Sequence, residues 1–149
     1  MSPVSADEPS SWLLVQMVVT GALAGLCWTV QLAVYPQFAR LLRAAGADAF
    51  REYHADYTRA MGRVAGPLML AELGLAAGWA WGAGGATAWS GLGLVVVIWI
   101  QTFGQMVPWH ARLQGAPDEA TARALARWNL LRTLLWTLRA AGLAAVAAA

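Results

Sequence analysis

Four long apolar stretches, at about 12–35, 64–82, 89–108 and 127–148, dominate the 149-residue chain. Each is close to the roughly 20 residues a helix needs to cross a bilayer's hydrocarbon core. None shows the strict apolar–polar alternation of a half-buried strand, and lipid cannot satisfy a free backbone, so helices are the expectation. Strongly polar residues interrupt each stretch sparingly: Gln16 and Gln31 in the first, Glu72 in the second, Gln101 and Gln105 in the third, Asn129, Arg132 and Arg139 in the fourth. The predicted fold is all-α, a four-helix transmembrane bundle with short amphipathic cytoplasmic helices, forming one integral membrane domain over residues 1–149.

The connections set the orientation. Arg40, Arg43, Arg51, Arg59 and Arg63 lie between the first two stretches, and Arg112, Arg123 and Arg127 lie before the last. The connection 82–88 carries no charge. Positive-inside logic puts the arginine-bearing connections in the cytoplasm and both termini outside, as in a multi-pass protein of a bacterial inner membrane. The acidic Asp7 and Glu8 argue against a cleavable signal peptide, which opens on a basic segment. The first cytoplasmic connection reads as helical, with Asp48 as N-cap and a bend near Gly66-Pro67. Pro117-Asp118-Glu119 opens a helix expected to run on into the fourth span.

Composition strengthens the membrane reading. Charged residues make up 12% of the chain, about half the roughly 25% of a soluble domain. All ten basic residues are Arg, and the net charge of +2 gives no reason to expect a nucleic-acid partner. Trp12, Trp81, Trp89, Trp109 and Trp128 fall near span ends, as an interfacial belt would. The single cysteine, Cys27, has no neighbour to activate it and reads as a small core residue. Gly21 with Gly25, and Gly74 with Gly78, suit close helix contacts and leave a homo-oligomer open.

The candidate chemistry lies where the polar residues point. Thr20, Cys27, Trp28, Gln31 and Tyr35 share an arc of about 100° on the first helix, and Asn129, Arg132, Trp136 and Arg139 an arc of about 80° on the last. Gln101 and Gln105, i and i+4, share a face. Glu72 follows His54 by eighteen residues, or about five turns, so they share a face if the helix is continuous. These groups are expected to converge on one pocket open to the cytoplasm, beneath an almost apolar outer half. Buried ionisable groups in a membrane need a partner. Arg139, or else Arg132, is expected to pair with Glu72.

Two readings follow. In the first, Glu72 or His110 handles protons, Arg132 and Arg139 stabilise an oxyanion, and Gln31, Tyr35, Gln101, Gln105, Asn129 and Trp136 orient and enclose a lipophilic aromatic or quinone-like molecule. The cofactor in that reading is none, or a single transition metal held by His54, His110 and Glu72 as two histidines and a carboxylate. In the second, the polar groups are scaffolding in a non-catalytic module that binds a lipid, a haem-like ligand or a partner subunit. No phosphate-binding loop, H-E-x-x-H or nucleophile elbow is present. The apolar outer half argues against a transporter's continuous polar path.

Several motifs carry a resemblance. Gln31-x-x-x-Tyr35-Pro36-x-Phe38, Phe50-x-x-Tyr53-His54, Pro67 and Glu72 resemble the first half of an uncharacterised family of small bacterial four-span membrane proteins. Gln105-x-Val107-Pro108-x-His110-x-x-Leu113 and Asn129-x-x-Arg132-Thr133-x-x-Trp136-x-x-Arg139 resemble its second half. More distantly, the chain is similar to the anthrone-oxygenase-like membrane family, whose fungal members include enzymes that oxidise a polyketide anthrone with molecular oxygen. That family often has Val-Pro-Leu-Asn where this chain has Val107-Pro108-Trp109-His110. The resemblance implies a pocket at Gln105, His110, Asn129 and Arg132, and an oxygenase or oxidoreductase activity.

Overall fold

The computed structural model describes residues 11–149 and is all-helical. The acidic Asp7 and Glu8 lie outside the described residues. Helix α1 (Ser11–Thr29) passes through a π-helical turn (Val30–Val34) into α2 (Tyr35–Ala83). Helix α3 (Gly85–Gln101) passes through a second π turn (Thr102–Met106) into α4 (Val107–Gly115), and α5 (Glu119–Ala147) ends the chain. Three continuous helical runs result, at 11–83, 85–115 and 119–147, each long and apolar enough to cross a membrane.

The first run folds back on itself. Gly46 sits at φ 82°, ψ 175° within the helical hydrogen bonding of α2, a conformation open to glycine and costly for other residues. Trp12 Nε1 donates to the Leu75 carbonyl across the two arms, and Phe38 meets Phe50 edge-on at 5.6 Å. The helix expected over the first connection, starting near Asp48, is present and runs on into the arm that ends at Ala83. Asp48 itself pairs with the Arg51 side chain at 2.6 Å. Gly84 and Gly85, both at positive φ, make the turn at the opposite end. Asp118 caps α5 as expected, accepting from the Thr121 backbone N–H at 2.8 Å.

The two π turns have a common cause. Pro36 and Pro108 lack an N–H, and a proline ring crowds the carbonyl four residues back. The ladder widens just ahead of each proline: Tyr35 N–H reaches Val30 O, and Val107 N–H reaches Thr102 O. Each π turn adds one residue to its helix without ending it. The stretch expected to stop at Pro108 thus continues to Gly115.

The packing is layered along the helices. Near the Gly46 end, Tyr35, Phe38, Phe50, Leu113 and Leu125 form an apolar and aromatic cluster. Farther along, Leu23, Ala24, Cys27, Met69, Ile98 and Trp136 form a second. Outward-facing residues include Val18, Leu32, Ile100 and Leu138, each at least 60% exposed. Gln16, Thr20, Glu72, Asn129 and Thr133 are fully buried. An apolar exterior around polar interior groups is the reverse of a water-soluble domain. Of the paired glycines, Gly78 approaches the Trp12 ring, whereas Gly21, Gly25 and Gly74 have nothing within 4 Å of an added Cβ. The expected close contacts through those three are not made within the chain.

Candidate functional site

The polar groups form two layers, where one convergent pocket was expected. The apolar cluster around Trp136 lies between them. Toward the Gly84 end, Arg139 Nε donates to Glu72 Oε1 at 3.0 Å. The Gln16 amide, oriented so that its oxygen meets donors, accepts from Arg139 Nη2 at 2.6 Å. Gly91 makes room for this guanidinium: a Cβ there would lie 2.5 Å from Nη1. The expected Glu72–Arg139 pairing is thus present.

The second layer lies toward the Gly46 end and is built on α5 and the π turns. Asn129 Nδ2 donates to Gln31 Oε1 at 2.8 Å, and Asn129 Oδ1 accepts from Arg132 Nη2 at 2.7 Å. Thr133, one turn on, returns its hydroxyl to the Asn129 carbonyl at 2.8 Å. Among the described residues, no carboxylate lies within 4 Å of Arg132. Its Nε is buried without a hydrogen-bond partner. Arg132 lines a cavity of about 420 Å³ with Tyr35, Tyr57, Thr102, Phe103 and His110, and Met61 and Met69 add apolar wall.

A chain of hydrogen bonds leaves this cavity. The Tyr35 hydroxyl lies 3.1 Å from His110 Nε2. His110 Nδ1 lies 2.9 Å from His54 Nε2, and His54 Nδ1 lies 2.7 Å from Gln114 Oε1. Gln114 is oriented by its other end, Nε2 donating to the Arg51 carbonyl at 3.1 Å. Its oxygen must therefore face a donor, which makes His54 Nδ1 protonated. With one proton per ring, the rest follows: His110 Nδ1–H donates to His54 Nε2, and the Tyr35 O–H donates to His110 Nε2.

This geometry places the candidate ligands differently from the sequence expectation. His54 and His110 are adjacent, but eighteen residues of helix, about 27 Å, separate His54 from Glu72. All four ring nitrogens of the pair are engaged in hydrogen bonds. The set His54, His110 and Glu72 is not brought together, and no cluster of three or more His, Cys, Asp or Glu side chains occurs among the described residues. Gln101 and Gln105 leave the cavity as well: they line a separate groove between α3 and α5 with Leu131 and Leu135, and Gln101 Nε2 bonds the Trp128 carbonyl. Trp136 is buried in the apolar layer and lines neither polar cluster. Gln31, Tyr35, His110, Asn129 and Arg132 do come together.

Gln114 was not anticipated. Its position four residues after His110 puts both on one helix face, and that spacing is the signal that could have found it. Gly91, opposite Arg139, carries no such local signal. Comparison of the chain with protein-family models, with curated proteins and with solved structures finds no match, so the reading of this site rests on its own residues.

Proposed function

We propose that the chain is a four-helix transmembrane protein of a bacterial inner membrane, with the Gly46 end in the cytoplasm. Its cavity beside Arg132 takes a lipophilic aromatic or quinone-like molecule. The membrane part rests on the apolar exterior, the three long apolar runs and the arginines near the Gly46 end, which meet the positive-inside rule. The ligand part rests on one observation above all: a guanidinium without a carboxylate lines a mostly apolar cavity with Tyr35 and His110. A half-buried cation facing an apolar cavity without a counter-ion is costly, and a phenolate, enolate or quinone oxygen would complete it. The apolar wall at Met61, Met69 and Phe103 suits the ligand's body.

The chemistry these residues can supply is removal of a proton from a hydroxyl or an activated carbon, with Arg132 holding the resulting oxyanion. Oxygenase or oxidoreductase activity, with molecular oxygen as the oxidant, is what the resemblance of the Asn129-x-x-Arg132-Thr133 motif adds. The test is calorimetric titration of the protein in lipid nanodiscs with a decyl-substituted quinol and a decyl alcohol. The quinol should bind and the alcohol should not, and Arg132→Gln should weaken the quinol at least about tenfold, or 1.4 kcal/mol. Equal binding by wild type and Arg132→Gln would sink the reading. The second reading, a non-catalytic module, draws support from the Glu72–Arg139 pair, in which the buried cation already has its carboxylate.

A further inference from the structure

We infer that His54 is the terminal proton acceptor of a relay, Tyr35 to His110 to His54, that takes up the proton of the cavity's ligand while Arg132 keeps its oxyanion. The inference rests on the ligand reading above and adds a route and a destination for the proton. The first two members line the cavity and the third does not. His54 is buried behind His110, 1% exposed, with Phe50 stacked on its ring at 5.6 Å. Its ring is thus shielded from the ligand and reached through His110.

The protons balance without any heavy atom leaving its place. At rest, Tyr35 O–H points to His110 Nε2, and His110 Nδ1–H points to His54 Nε2. When the ligand's O–H gives its proton to the Tyr35 oxygen, the Tyr35 proton passes to His110 Nε2. The His110 Nδ1 proton passes to His54 Nε2. The ligand becomes an oxyanion beside Arg132, Tyr35 and His110 end neutral, and His54 ends as imidazolium. Gln114 Oε1 then accepts from a charged donor at 2.7 Å, a stronger bond than it makes to the neutral ring. The groups facing the histidine pair are Tyr35 and Tyr57, with Arg132 on the cavity side. Among the described residues, no carboxylate lies within 4 Å of either ring to hold a proton there at rest.

The chain has two histidines, so nitrogen NMR of histidine-labelled protein in nanodiscs reads the relay directly. Before ligand, both rings should carry Nδ1–H and a bare Nε2. A long-chain nitrophenol is then added, about one pH unit below its own pKa. It should bind as the coloured phenolate while one ring, that of His54, becomes doubly protonated. His54→Gln should bind the probe but hold about tenfold less of it as phenolate, equivalent to one pH unit. Phenolate bound with both rings unchanged would overturn the relay and leave the cavity reading standing. A probe that fails to bind, or that binds Arg132→Gln equally well, takes down both. If His54→Gln does not fold, the resting spectrum still decides: an Nε2–H on either ring, or a ring without Nδ1–H, overturns the assignment.

Discussion

Arg139 donates from Nε to Glu72 Oε1 at 3.0 Å, with the two side chains 4% and 0% exposed. The pair joins α5 to the second arm of the first run, near the Gly84 end. Removing one member of a buried pair leaves the other charge uncompensated, which costs about 3–5 kcal/mol, whereas replacing both with apolar residues of similar volume is often close to neutral. Glu72→Gln should therefore lower the melting temperature in detergent markedly, and Glu72→Met with Arg139→Met should recover most of the loss. Because the Trp136 layer separates this pair from the cavity, quinol affinity should stay within about threefold in variants that fold, less than 1 kcal/mol. A tenfold loss of affinity in the double variant would mean that the two polar layers are coupled.

Gly91 gives an independent handle on the same pair. A Cβ at this position would lie 2.5 Å from Arg139 Nη1 and 3.4 Å from Cζ. Gly91→Ala should displace the guanidinium and act non-additively with Glu72→Gln in a double-mutant cycle. Gly74→Ala is the control, since an added Cβ there meets nothing within 4 Å. It should be neutral within the chain or stabilise by up to about 1 kcal/mol through helix propensity. Detergent melts of the four variants check both statements, and a loss at Gly74→Ala would instead indicate a contact with a second copy of the chain.

Asp118 carries the clearest pH dependence. The Thr121 hydroxyl donates to its carboxylate at 2.6 Å and the Thr121 backbone N–H at 2.8 Å. Both bonds favour the ionised form and hold its carboxyl below the usual value. A lowered folded-state pKa contributes stability that is present above the unfolded value, about 3.9, and lost as pH falls through the folded one. Asp118→Ala should cost about 1 kcal/mol near neutral pH, the usual worth of an N-cap, and progressively less below about pH 4. Melts of both proteins across that range should converge on the acid side.

The sequence pattern shows which residues are helical and which polar groups are buried, because burial in a helical membrane protein is written in sparse polar positions. It also carries the alignment of His54 with Glu72, both of which are buried. What it hides is phase and depth. An arc computed at 100° per residue assumes a regular helix, but each π turn inserts one extra residue. The turn at Thr102–Met106 keeps Gln101 and Gln105 together on the groove toward α5 and brings Thr102 and Val107 to the cavity in their place. Likewise, an angular arc says nothing about height: Arg132 and Arg139 share a face but lie about 10 Å apart along α5, on opposite sides of the Trp136 layer. A reversal between the first two spans, just ahead of a helix starting at Asp48, is legible, but its pivot at Gly46 is not, since one glycine among alanines gives little warning.

Asn129 offers the sharpest separation of fold from function. Its amide donates to Gln31 at 2.8 Å and accepts from Arg132 at 2.7 Å, so it clips the first π turn to α5 and aims the guanidinium at once. Asn129→Leu removes both bonds and leaves a buried glutamine oxygen and an arginine N–H unpaired, at about 1–3 kcal/mol each. That variant should lose both stability and ligand, and so cannot tell scaffolding from a site. Asn129→Asp can. The carboxylate still accepts from Arg132, and Gln31 can turn its amide to donate to the other oxygen. The fold should hold, with a melting temperature near wild type. The guanidinium, however, would now have its counter-ion, and an incoming oxyanion would meet a neutral pair. Quinol and nitrophenolate affinity should fall more than about tenfold, or 1.4 kcal/mol, in a protein that melts normally. If Asn129→Asp binds both probes as wild type does, then Arg132 serves the fold and not a ligand.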